Sequence, residues 1–477
     1  MVRRVGLFSG PLVAALLYLL IPESIQDLEG SELQLGAAGR VTGAMTGWMA
    51  IWWMTEAIPI FITPLLPAIV LPLTGAQDFF DTTAVYAHPL VFLALGGFVL
   101  ALALERWSLH QRFATFVLSI VGSSPRRLVG GFMIVGATLS MWISNTAASV
   151  ILLPVALSII AANDENLEYH SRFQMCLLLG TAYACSIGGM GTLIGTGTNV
   201  FLASFMESEL QRDISFAGWM RLGVPLVILL LPLTWILLTR IIFPLPSKPQ
   251  KENQVPLPDL GAWSSAERRV FAVFCLAVIG WVGAPLLVRL PLLGNLSDPG
   301  VAMVCMLLLF LIPDGRDQGT ALMDWDTAVK LPWGVLLLLG GGLALAGAIE
   351  ASGIGTALGV VSAGLRDVPP ILIVAFSVTL MSFLTELTSN LASTATLVPV
   401  LAAMADGIGV DPLVLVIPTA LAASCAFMLP VATPPNTIVF GSGMLRIPDM
   451  VRAGIWINIL GILVMSLLAY PLVGILF

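Results

Sequence analysis

Two four-residue words, Ser144-Asn145-Thr146-Ala147 and Ser389-Asn390-Leu391-Ala392, are embedded in long apolar stretches 389 − 144 = 245 positions apart. Their hydroxyl and amide groups carry no charge, and Thr385, Thr388, Ser393 and Thr394 extend the second cluster. Neutral oxygens of this kind replace the hydration shell of a hard cation such as sodium. A helix broken at such a word leaves free carbonyls at one half-helix C-terminus, and free N–H groups with a positive dipole end at the next N-terminus. One break can therefore hold a cation and a carboxylate side by side.

The duplication extends beyond the words. Gly96-Gly97 returns as Gly341-Gly342, Glu105 as Glu350 and Pro154-Val155 as Pro399-Val400, all at the same spacing. A second duplicated feature is Gly195-Thr196-Gly197-Thr198-Asn199, which resembles Ala432-Thr433-Pro434-Pro435-Asn436 at an offset of 433 − 196 = 237. Gly and Pro at membrane depth mark unwound helix. Each segment is expected to face a neighbouring Ser-Asn turn, giving two pseudo-equivalent cation pockets with an anion site between them.

The elements that position these groups follow from composition. The chain of 477 residues is 58% hydrophobic and 10% charged, with a mean hydropathy of +0.97. A soluble domain has about 25% charged residues. The fold class expected is an all-α polytopic membrane protein, with the lipid bilayer as its solvent. Its net charge of −7 offers no basic surface for nucleic acid. The five cysteines lie in apolar segments without a Cys-x-x-Cys pair, so they read as small buried hydrophobes. No His-Glu-x-x-His, nucleophile elbow or Walker-type loop occurs, which argues against an enzyme or an ATP-driven pump.

Apolar runs near the ~20-residue spanning length fall at about 5–21, 41–58, 59–74, 89–104, 174–205, 220–242, 268–290, 299–313, 331–350, 412–445 and 453–476, eleven in all. Two further stretches, about 126–160 and 368–404, contain the Ser-Asn words and read as re-entrant hairpins. Threading from a cytoplasmic N-terminus puts 16 of the 21 Lys and Arg inside, as the positive-inside rule requires, and the C-terminus outside. The first hairpin then opens from the cytoplasm and the second from the exterior, so the repeats are inverted. Glu56, Glu105 and Glu350 end spans, and the three histidines fall in loops or interfaces. Glu386 alone sits in a hairpin, as a hydrogen-bonded structural acid or a protonatable group.

Ser144-Asn145-Thr146, Ser389-Asn390, Ala432-Thr433-Pro434-Pro435-Asn436 and Trp53-Met54-Thr55-Glu56 resemble the motifs of the divalent anion/sodium symporter family, carriers of succinate, malate, citrate and sulfate. The resemblance covers nearly the whole chain. It implies a homodimer of an elevator-type transporter, and the short loops point to a bacterial inner membrane. The scaffold would be 1–122 and 246–365, and the transport parts 123–245 and 366–477. One sodium site would use Ser140, Ser144, Asn145 and the Gly195 backbone. The second would use Thr385, Thr388, Asn390 and the Ala432 backbone. Substrate carboxylates would meet Asn145, Thr146, Ser389, Asn390, Thr433 and Pro434. Two or more sodium ions are implied as coupling ions, and no organic cofactor. The function implied is sodium-coupled symport of a divalent anion, a C4 dicarboxylate such as succinate. A sodium-independent exchanger, or a citrate or sulfate carrier, on the same fold is the alternative. An anion channel and an intramembrane enzyme are the readings from other classes. Leu391 stands where the family often has Thr, and Gly197-Thr198 where many bacterial members have Pro-Pro, which leaves the anion open.

Overall fold

The computed structural model describes residues 2–26, 32–122, 124–162, 169–247, 260–316 and 319–476. Asp27 and Glu29 of the expected external loop, and Lys248 and Lys251 of the linker, lie outside the described residues. The described chain is almost wholly helical. A short antiparallel pair, Ser24–Gln26 with Glu32–Gln34, occupies the loop after the first helix.

Among the described residues, seven helices are long and apolar enough to cross a membrane unaided: Arg3–Leu20, Phe79–Arg106, Phe216–Ile242, Ser265–Leu287, Trp333–Ala351, Asn390–Ile408 and Ile447–Leu468. Other expected spans take different forms. The run expected at 59–74 is helical only over Thr63–Thr74. The preceding helix ends at Glu56 in the left-handed region (φ 45°), and Pro59 follows without an N–H to continue it. The runs at 174–205 and 412–445 are each two helices, His170–Gly189 with Gly197–Ser208 and Pro412–Ala422 with Pro434–Phe440. Both Ser-Asn stretches are hairpins. Pro125–Ser140 and Asn145–Ala162 form the first, and Pro370–Leu384 and Asn390–Ile408 the second.

Among the described residues, two helices of nine residues or more have no counterpart among the expected spans, Leu109–Val121 and Ile354–Ser362, whose starts differ by 354 − 109 = 245. Each precedes a hairpin as a lateral arm. The second arm meets its hairpin at a bend of 119°. The first begins Leu-His-Gln-Arg, too polar and too short to read as a span.

Glycine sets how closely these parts approach. A Cβ on Gly96 would lie 2.7 Å from the Ala302 carbonyl oxygen, and one on its repeat mate Gly341 would lie 2.2 Å from that of Pro64. Gly223 and Gly454 press in the same way on the carbonyls of Met190 and Phe427, at 2.4 and 2.3 Å. The helices bearing them both run into π-helical turns, Leu237–Ile242 and Met465–Ala469. The repeat read from sequence is thus a repeat of packing.

The tightest approach joins the second arm to the second hairpin, where a Cβ on Gly407 would lie 1.8 Å from the Gly359 oxygen. Arg366 Nε donates to the Gly407 carbonyl at 2.7 Å and Ser362 Oγ to that of Met404 at 2.9 Å. Gly407→Ala should destabilise the protein by about 1–3 kcal/mol, the usual cost of overpacking. Gly364→Ala, with no atom within 4 Å of the added methyl, should not. Thermal unfolding in detergent checks both; an unchanged midpoint for Gly407→Ala would contradict the packing.

Candidate functional site

The two hairpin tips are interruptions at Met141–Ser144 and Thr385–Ser389. Each is closed by the same bond in both repeats. Ser140 Oγ donates to Asn145 Oδ1, and Thr385 Oγ1 donates to Asn390 Oδ1 at 2.5 Å. The offset between the pairs is again 245. Ser144 Oγ accepts from the Ala147 N–H at 3.1 Å and so caps the outgoing helix. At the second tip Thr388 Oγ1 donates to the Leu384 carbonyl at 2.9 Å and lies 2.6 Å from Ser393 Oγ.

The broken spans repeat as closely. Thr196 and Thr433 are extended, at φ −141°, ψ 150° and φ −140°, ψ 151°, and each caps the half-helix that follows. Asn199 Nδ2 donates to the carbonyls of Gly189 (2.9 Å) and Thr192 (2.7 Å). Asn436 Nδ2 donates to those of Ala426 (3.4 Å) and Leu429 (3.0 Å), at an offset of 237 throughout. These amides satisfy carbonyls that unwinding sets free inside the membrane. Asn436 Oδ1 is buried without a protein partner among the described residues.

The repeats interlock. The first hairpin's outgoing helix, Asn145–Ala162, packs on Pro434–Phe440 of the other half, and Asn390–Ile408 packs on Gly197–Ser208. Asn145 Oδ1 lies against Gly189, where a Cβ would be 2.6 Å away, and Thr196 Cγ2 is equally near that point. Leu391 Cδ2 lies 3.0 Å and Val335 Cγ1 2.9 Å from where a Cβ on Gly197 would be. Both tips therefore converge on the break at Gly195–Thr198.

Of the residues named for sodium, Ser140, Gly195, Thr385 and Ala432 are buried, Asn145, Thr388 and Asn390 are half-buried, and Ser144 is exposed. Of those named for substrate, Thr433 is buried, Asn145, Ser389 and Asn390 are half-buried, and Thr146 and Pro434 are exposed. The ion pairs among the described residues, formed by Arg3, Arg40, Arg106, Arg112 and Arg446, or at His88, include no residue of either tip or break. Among the described residues no cluster of three His, Cys, Asp or Glu could hold a metal ion.

Glu386 is the structural acid. Its carboxylate accepts the N–H groups of Phe427 (2.8 Å), Met428 (2.9 Å) and Leu429 (2.9 Å), and Asn458 Nδ2 at 2.7 Å. It holds the unwound stretch before Thr433. Met141 stands at the equivalent place in the first half, where its carbonyl accepts Thr192 Oγ1 at 2.5 Å and Trp219 Nε1 donates to the Met190 carbonyl at 3.0 Å. Sequence reasoning missed Asn458 and the N–H trio. An isolated acid in an apolar hairpin signals that donors exist, but not which.

The chain matches the description "Sodium:sulfate symporter transmembrane region" over residues 11–476. It is 42% identical over 484 residues to a sodium-dependent dicarboxylate transporter, SdcS, of Staphylococcus saprophyticus, covering 99% of this chain and 91% of that protein. The SdcS of Staphylococcus aureus strain NCTC 8325 is 39% identical over 480 residues, covering 98% and 91%. The fold is also that of two solved structures at low identity. One is the Alcanivorax borkumensis YdaH transporter (TM-score 0.60, 14% identity, 99% of this chain and 97% of that one). The other is Neisseria gonorrhoeae MtrF (TM-score 0.61, 12% identity, 97% and 93%).

Hydrogen bonds to a charged group contribute about 1.5–3 kcal/mol each. Glu386→Gln keeps the shape but removes the charge and turns one acceptor into a donor facing N–H groups. The unfolding midpoint should fall, and Glu386→Ala should lower it further. Equal midpoints for wild type and Glu386→Gln would show that the cradle holds a neutral acid.

Proposed function

Because the chain belongs to the sodium:sulfate symporter family, we propose that this integral membrane protein is a sodium-coupled symporter of a divalent anion, with a C4 dicarboxylate such as succinate as its substrate. The observation that carries the reading is the pair of repeat-related helix breaks, each closed by a hydroxyl–amide bond between uncharged side chains. They supply oxygens and helix ends for a cation and a carboxylate, yet no Lys or Arg. A dianion in such a site has only the bound cation and the half-helix N-termini to balance it. The naming of both Staphylococcus relatives as sodium-dependent dicarboxylate transporters supports sodium as that cation and a dicarboxylate as the anion.

Sodium would sit at Ser140, Ser144, Asn145 and the Gly195 backbone, and at Thr385, Thr388, Asn390 and the Ala432 backbone. The carboxylates would lie between, on Asn145, Thr146, Ser389, Asn390, Thr433 and Pro434. Sodium completes each tip before substrate arrives, so the ligands raise each other's affinity through a binding linkage. The hairpins, with the broken spans and the helices Phe216–Ile242 and Ile447–Leu468, would form a moving transport domain. The remaining spans would form the scaffold of a homodimer, and transport would follow an elevator motion. The N-terminus would be cytoplasmic and the C-terminus external. Leu391 gives the second tip an apolar side chain where a hydroxyl could meet a carboxylate, which keeps citrate or sulfate as the second reading.

In proteoliposomes, labelled succinate should accumulate under an inward sodium gradient and not in choline. Sulfate or citrate accumulating instead would move the substrate to the second reading. Uptake driven by internal counter-substrate without sodium would replace symport by exchange. Asn145→Ala and Asn390→Ala should each lower sodium affinity by about ten- to a hundredfold, the equivalent of one hydrogen bond to a charge, while the protein still assembles. Wild-type sodium dependence in either variant would remove that residue from the site.

A further inference from the structure

The two arms are packed differently. The second lies against Gly36–Thr55, with Ile354 Cδ1 3.4 Å from where a Cβ on Gly43 would sit, and its backbone touches the second hairpin at Gly359 and Gly407. The first arm leaves a cavity of about 540 Å³ between itself, the first hairpin and Ser265–Leu287. Its walls are Phe113 and Phe116 of the arm, Leu139 and Trp142 of the hairpin, and Phe271 and Phe274 of the long helix.

Apart from His110, Arg112, Thr115 and Thr138 the lining is apolar, and apolar cavities take apolar guests in preference to water, even an engineered void of ~150 Å³. An unfilled space forfeits dispersion contacts along all its walls. Its volume lies in the range of true ligand sites, about 300–1,000 Å³. The way in is through apolar surface, since Phe116 is 64% and Phe271 46% exposed, the latter on a membrane-spanning helix. Lipid is the solvent that meets such a surface. The polar end of the cavity does not invite a headgroup. Arg112 there is committed to Glu267 at 2.6 Å and to the carbonyls of Leu260, Gly261 and Ala262, and its guanidinium lies 5.0 Å over the Trp263 ring.

We propose that this cavity is a binding site for the acyl chain of a membrane phospholipid, wedged between the first arm, the tip of the first hairpin and Ser265–Leu287. The chain lies against Trp142, one residue from the tip's start and stacked edge-on to Phe274 at 5.1 Å. On the domain division proposed above it bridges a moving part and a fixed one, so its presence biases the motion. Binding itself does not depend on that division.

The test uses proteoliposomes doped with phosphatidylglycerol bearing a diazirine on its acyl chain, irradiated without sodium or substrate, so that failure of the transport reading does not affect it. Label should concentrate on Leu109–Val121, on 138–143 and on the 271–274 stretch. Thr115→Trp, from the cavity wall and outside the proposed ion and substrate sites, should fill the space and abolish label there. Label at lipid-facing Ile228, 66% exposed, should persist. Thr115→Leu, a smaller filling, should give partial loss should the tryptophan variant not assemble. Label on the walls no denser than at Ile228, or unaltered by either substitution, overturns the proposal.

Discussion

A helix broken inside a bilayer must find a partner within the protein for each N–H and C=O that it releases, because the hydrocarbon offers none. This constraint shapes the four interruptions that bring the site together. The asparagine clamps at Asn199 and Asn436 bridge the released carbonyls of each broken span. The hydroxyl–amide bonds Ser140–Asn145 and Thr385–Asn390 close each hairpin tip. On the proposed reading, the polar residues that permit the breaks are also those that would offer oxygens to a cation. Structure and binding would then draw on one set of atoms.

The halves satisfy the constraint by different means. In the second, Glu386 and Asn458 gather the N–H groups of Phe427, Met428 and Leu429. In the first, the hairpin's own Met141 carbonyl and the Trp219 indole serve, and no carboxylate is present. The second half therefore carries a carboxyl group one residue from Thr385, where the first has the Met141 side chain. The two breaks match in backbone geometry but differ in the groups that hold them, so the two sodium sites proposed there would not be equivalent.

Much of this was legible in the chain. Uncharged words recurring at one spacing announced the repeated halves, and Gly-Thr-Gly with Thr-Pro-Pro announced the unwound spans. The helix clamps were half legible: Asn199 and Asn436 stood out as a matched pair, but their acceptors lie 7 and 10 residues back across a break that no periodicity describes. The arms were illegible, since Leu109–Val121 mixes His and Arg with aromatics over 13 residues and resembles neither a span nor a loop. The shortened helix at Thr63–Thr74 reflects a backbone turn at Glu56 that hydropathy alone does not register. Glu386's donors are mostly main-chain, and main-chain groups leave no trace in residue identity.

The first broken span restarts at Gly197 and the second at Pro434-Pro435, although their caps share one geometry. Proline enters that geometry with φ already near its final value, whereas glycine must surrender far more freedom to reach it. Of the two pockets proposed at these breaks, one would thus be held by a stiff hinge and the other by a supple one. Warming should soften the glycine side first, so the temperature at which coupling slips would be set by that half of the molecule alone.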